Sequence, residues 1–216
     1  MTEIAYERVT IIPEYSQINN EVIIAKIDSK GDKPEKIEYN TLSDASLKDK
    51  ICVNPQWQPG GNMVAFEIFN PALHEISVTL FDTINNKLLP LTYPQGKDQF
   101  VQNQHNIRLI NWSPDGKELL LLYSDQSYLS YTQSNLIIYP IDNITPIQLP
   151  GRNEFGGFCF CSAWSPDSTE VACILDDTYT LSMTNGRGFY IWKKGKLMDP
   201  IKVEYIDGLA PIALSW

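Results

Sequence analysis

The pentapeptide Trp112-Ser113-Pro114-Asp115-Gly116 returns as Trp164-Ser165-Pro166-Asp167-Ser168, has a degenerate copy at Trp57-Gln58-Pro59-Gly60-Gly61, and leaves a lone Trp216 in step with them. The intervals are 112−57=55, 164−112=52 and 216−164=52 residues. A period of this size constrains the fold more than composition does. Each repeat is one supersecondary unit that must bury its apolar face against the next. A second marker keeps time with the first: Pro34, Pro90, Pro146 and Pro200 are separated by 90−34=56, 146−90=56 and 200−146=54 residues.

The Trp-Ser-Pro-Asp-Gly stretch is turn chemistry. Proline presets φ at the first central position, aspartate bonds nearby backbone, and glycine accepts positive φ. It should join two antiparallel strands, Ile107–Trp112 to Glu118–Tyr123 and Phe158–Trp164 to Glu170–Leu175, all rich in apolar and β-branched residues. Third strands follow at Val22–Ile27, Ile76–Phe81, Leu136–Ile141 and Phe189–Trp192, and fourth strands open at the four prolines. Proline cannot donate to a ladder, so the fourth strand is the sheet edge. The segments before the tryptophans are apolar on both alternating faces, which suits strands buried between neighbouring sheets and innermost in each unit.

Four-stranded antiparallel units of about 50 residues are the blades of a β-propeller. A β-sandwich has no reason to repeat a whole cassette with its own tryptophan and proline. The expectation is therefore an all-β chain, one propeller domain over 1–216. Its blades fall at about 1–40 plus 210–216, 51–94, 107–150 and 158–205. The first unit lacks a tryptophan-bearing strand and Ala210–Trp216 supplies one. That fits a closed four-bladed ring, or a part of a larger ring whose open arc would favour a homo-oligomer.

Lys+Arg 17 against Asp+Glu 26 gives a net charge of −9, which opposes the phosphate neutralisation behind nucleic-acid affinity and speaks against anionic membranes as well. No apolar run approaches the roughly 20 residues of a bilayer span. The N-terminus has no basic and apolar export segment, so a cytoplasmic location is expected, with a periplasmic one the alternative if a signal has been removed. Cys52, Cys159, Cys161 and Cys173 form no CxxC pair and read as buried thiols; a Cys161–Cys173 cross-strand disulfide is the alternative in an oxidising compartment.

Function should sit on the longer connections, Pro13–Asn20, Asn70–Glu75, Pro94–Asn106, Ser124–Ser134, Gly151–Gly157 and Asp176–Arg187, which up-down alternation gathers on one rim. They carry Phe100, Tyr128, Tyr131, Phe155 and Tyr179 among Ser, Asn and Gln, a mixture suited to binding another protein or a peptide, although loop aromatics also tuck over neighbouring blades. No catalytic, cofactor or metal residues are expected. The predicted inner strands contain no Asp, Glu or His, and His74 and His105 stand apart with no nucleophile elbow. Asp125, Asp176 and Asp177 read as strand-end turn chemistry. The structural anchors are Trp57, Trp112, Pro114, Asp115, Gly116, Trp164, Pro166, Asp167 and Trp216.

With a charged residue and an apolar strand behind it, as in Trp112–Leu122 and Trp164–Ile174, the pentapeptide resembles the WD40-like repeat of the TolB propeller family. That resemblance implies a noncatalytic interaction module, in bacteria part of a cell-envelope assembly. TolB proteins have six blades, an N-terminal α/β domain and an export signal, so only the repeat type carries over. The repeat is also similar to that in prolyl oligopeptidase and tricorn-type peptidases, which implies a propeller that gates access to a hydrolase domain. A sugar- or metal-dependent enzyme working at the channel mouth is the third reading.

Overall fold

The computed structural model describes residues 2–12, 17–30, 33–41, 45–91, 107–124, 134–142, 147–148, 158–176, 188–194 and 201–205. These form the strands β1 (Thr2–Ile12), β2 (Gln17–Lys30), β3 (Lys33–Thr41), β4 (Ile51–Trp57), β5 (Met63–Asn70), β6 (Glu75–Asp82), β7 (Lys87–Pro90) and β8 (Ile107–Trp112). There follow β9 (Glu118–Ser124), β10 (Ser134–Pro140), β11 (Ile147–Gln148), β12 (Phe158–Trp164), β13 (Glu170–Asp176), β14 (Gly188–Lys193) and β15 (Ile201–Tyr205). The only helical element among the described residues is one 3-10 turn, Ala45–Leu47, which the sequence did not signal.

The strands make antiparallel meanders: β1-β2-β3, β4-β5-β6-β7, β8-β9-β10-β11 and β12-β13-β14-β15. The tryptophan-bearing strand stands at one edge of each four-stranded sheet and the proline-marked strand at the other, as expected. The segment expected to complete the first sheet, Ala210–Trp216, lies outside the described residues.

The chain divides into two compact units, Met1–Leu91 and Thr92–Trp216. In the first, Val22 of β2 packs with Cys52, Val64, Phe66 and Phe81 of the second sheet, walled by Leu47, Trp57, Ile68 and Leu88. In the other, Leu120, Leu136 and Ile138 of one sheet meet Trp164, Val171, Cys173 and Trp192 of the next. Register explains why these share a face. Leu120 pairs Ile138 and Leu122 pairs Leu136 in one sheet, while Val171 stands between Trp164 and Trp192 in the other. Directly paired residues point the same way, so two apolar faces are built and close on each other. Burial of this apolar area is the main force joining the sheets.

Three expectations need correction. The first strands are less buried than the second and third: β4 is mostly half-buried and Arg108 of β8 is exposed, while Leu119, Leu120 and Leu121 of β9 are at 0%. A strand with neighbours on one side only leaves part of its surface uncovered. Each first strand is also bulged, between Val53 and Gln56, Leu109 and Asn111, and Cys159 and Cys161, an irregularity that apolar patterning does not reveal. Asn54 takes φ 54° beside Pro55 in the first of these, where a residue without an N–H disturbs nothing. Finally, β2 starts at Gln17 inside the expected Pro13–Asn20 loop, and Pro90 ends β7 opposite Thr79 rather than opening a strand.

The cysteines divide. Cys52 is a free buried thiol, and desolvation pushes it up to about 11 against the pull of Lys50. Cys173, expected as a thiol, is disulfide-bonded. Pairing of β12 with β13 brings Cys159 and Cys161 opposite Leu175 and Ile174, within two residues of it.

Candidate functional site

The repeated turn is built from one set of hydrogen bonds used three times. In the second and third copies the amides of Ser113 and Ser165 donate to the carbonyls of Glu118 and Glu170, at 2.8 and 2.9 Å. Gly116 and Ser168 close the turn by donating to Ser113 and Ser165, both at 2.9 Å. The serine hydroxyls accept from the amides of Glu118 and Glu170, at 3.0 and 2.9 Å, and donate to Asp115 Oδ1 and Asp167 Oδ1, at 2.7 and 2.6 Å. Ser113 is fully buried, so this satisfaction of its oxygen is obligatory.

The degenerate copy keeps the scheme with other side chains. Gln58 donates through its amide to Met63, at 2.8 Å, and its Oε1 accepts from the amides of Asn62 and Met63, both at 3.2 Å. Gly60, at φ 65°, follows Pro59 as the second central residue of a type II turn, whereas in the other copies positive φ falls one residue later, at Gly116 (70°) and Ser168 (60°). A Cβ at Gly61 would run into the Gln58 side chain, so a larger residue there would displace Gln58 from the amides it accepts.

In the second unit two such turns are joined. The Asp115 amide donates to Ser168 Oγ at 3.0 Å. Lys194 Nζ reaches Glu118 Oε2 at 2.6 Å, an ion pair rather than an angled hydrogen bond, and stands 5.7 Å from the centre of the Trp164 ring. Burial tends to raise the Asp115 carboxyl, but the Ser113 hydroxyl, the Lys117 amide and the charges of Lys194 and Lys117 outweigh it and hold it below the ordinary range. Hydrogen bonds from the hydroxyls of Ser165 and Thr169 do the same for Asp167.

This constellation braces rather than reacts. Each serine hydroxyl donates a hydrogen bond to a carboxylate and accepts one from an amide, and among the described residues no histidine stands as a base beside either. His74 is exposed in the turn after β5, at φ 55°. Among the described residues no group of three His, Cys, Asp or Glu side chains could hold a metal. Trp57, Trp112, Pro114, Asp115, Gly116, Trp164, Pro166 and Asp167 occupy the expected turn positions. Phe100, Tyr128, Tyr131, Phe155, Tyr179, His105 and Trp216 lie outside the described residues, as do Asp125 and Asp177. Sequence reasoning missed Lys194 and Ser168; a serine in the glycine slot of the third copy was the available signal.

Antiparallel meanders packed face on face within each unit, with a recurring Trp-Ser-Pro-Asp turn, define a β-propeller fold. The solved structures bear this out. The chain matches the β-propeller domain of the Trilobed protease from Pyrococcus furiosus, which has an open velcro topology, with a TM-score of 0.61 and 14% identity over 94% of this chain and 54% of that one. It matches an oligogalacturonate lyase in complex with manganese at TM-score 0.59 and 14% identity, covering 95% and 51% of the two chains. For an acylaminoacyl peptidase from Pyrococcus horikoshii the figures are 0.54 and 15%, over 94% and 30%. The chain thus spans about half of the first two and under a third of the third. No protein-family model and no curated protein matches the sequence.

Proposed function

We propose that this chain is a noncatalytic propeller that binds a protein or peptide through the connections leaving the strand ends opposite its tryptophan turns. The observation that carries this reading is the use of the Ser113 and Ser165 hydroxyls and of Oδ1 of Asp115 and Asp167 in holding the turns. The Ser–Asp pairs there are spent on rigidity, and a rigid frame is what presents adaptable loops well. β9 and β13 end at Ser124 and Asp176, and the chain continues into stretches that carry Tyr128, Tyr131 and Tyr179, aromatic anchors of the kind that dominate binding energy.

A second reading draws on the neighbours, several of which are peptidases: the propeller gates polypeptide access to a hydrolase, and the ligand is then an extended peptide. The TolB-type repeat assignment belongs to the first reading. Alanine at Phe100, Tyr128 and Tyr131 together should abolish retention of the protein on an immobilised random peptide library while the melting temperature stays within error. Turnover of ester, peptide or glycoside substrates by the folded wild type would overturn the noncatalytic reading.

A further inference from the structure

We propose that this protein matures in an oxidising compartment, where a disulfide made by Cys173 ties the first strand of its blade to the second. Cys173 lies on β13 at 0% exposure, packed with Leu120, Trp164, Val171 and Trp192, and is disulfide-bonded. Cys52 is free. Of the four cysteines, that leaves Cys159 and Cys161, both on β12, the strand paired with β13.

The ladder between these strands breaks at one place, the bulge between Cys159 and Cys161. Backbone pairing is weakest there, and β12 has no further strand on its outer side within its sheet. A covalent tie at that point replaces the hydrogen bonds the bulge forfeits. It closes a short loop, 173−161=12 or 173−159=14 residues.

The bond is structural in kind. An attacking thiolate cannot reach a sulfur at 0% exposure without opening the core between the two sheets, so exchange is slow once the protein is folded. Formation must precede closure of that core. Two protein thiols then lose two electrons and two protons to a small-molecule disulfide such as glutathione disulfide, which leaves as two thiols. A reducing cytosol does not sustain that reaction; the oxidising compartments of the cell do.

The test uses the full chain refolded in glutathione buffer, then unfolded in guanidinium for thiol titration. The chain has four cysteines, so 4−2=2 free thiols are expected, rising to four after phosphine reduction. Cys52→Ser should leave one free thiol, and Cys173→Ser should raise the count to three. Reduction should lower the melting temperature by roughly 5–10 °C, and Cys173→Ser should abolish that response. Native cells quenched in acid and alkylated at once should yield the two-thiol form. Four thiols in the refolded wild type overturn the bond itself, and four thiols in the quenched cells overturn the compartment. Both readouts use the unmutated chain, so they hold even where a variant fails to fold.

Discussion

The backbone amide of Asp115 donates to the hydroxyl of Ser168 across 3.0 Å, joining two copies of one turn that stand 53 residues apart in the chain. Ser168 holds φ 60°, where its counterpart Gly116 holds 70°, so the third copy accepts backbone strain that glycine would avoid. The hydroxyl bond compensates. Ser168→Gly should change stability by under about 1 kcal/mol, since strain and bond leave together. Ser168→Ala should cost about 1–2 kcal/mol, because the strain stays and the Asp115 amide loses its partner. Urea unfolding of both variants checks the order, and alanine equal to or better than glycine contradicts it.

Trp57 and Trp192 should separate packing from hydrogen bonding. The Trp57 indole donates to the Gly61 carbonyl at 3.1 Å, whereas the indole N–H of Trp192, at 1% exposure, has no hydrogen-bond partner among the described residues. Trp192→Ala should cost about 3–5 kcal/mol through the cavity it leaves. Trp192→Phe removes an unsatisfied donor along with some volume and should cost clearly less. Trp57→Phe gives up a made bond, about 1 kcal/mol beyond its packing loss. Denaturant midpoints of the three variants report these differences.

The Lys194–Glu118 pair is asymmetric, with side-chain exposures of 38% and 12%. Lys194→Met keeps the stem over the Trp164 ring but strands the better buried carboxylate, and should cost about 1–2 kcal/mol. Adding Glu118→Gln should recover part of that loss. A double-mutant cycle by chemical denaturation measures the coupling, and a simply additive double variant would count against the pairing.

Acid should weaken the protein through its turns. Asp82 is held below the ordinary range by the Asn85 amide and side chain and the Ile84 amide, and Asp115 and Asp167 are lowered as described above. Groups with depressed folded-state values contribute fully above their unfolded value of about 3.9, and the contribution fades as pH falls through the lower folded values. The melting temperature should therefore drop below about pH 4. Asp115→Asn with Asp167→Asn should flatten that drop, as followed by thermal melts between pH 6 and pH 2.5.

Much of the fold was legible because a turn is a local object. Pro114, Asp115 and Gly116 fix their own backbone, and apolar runs on either side announce the strands. The worn copy was harder to read, since Gln58 shares no chemistry with serine until its side-chain carbonyl is seen accepting the amides of Asn62 and Met63. The bulges were harder to place: Asn54-Pro55 marks the first, since proline inside a strand fits an edge or a bulge, but nothing comparable marks those after Leu109 and Cys159.

The sequence alone determined the repeating unit, its strand order and its antiparallel pairing, all of which follow from contacts between residues near one another along the chain. Tertiary structure decided which face of β9 meets which face of β13, how Lys194 comes to stand beside Glu118, and that Cys173 is bonded while Cys52 is free. Those outcomes depend on how sheets stack and where a ladder slips by one residue, and such geometry arises only when distant segments close on one another.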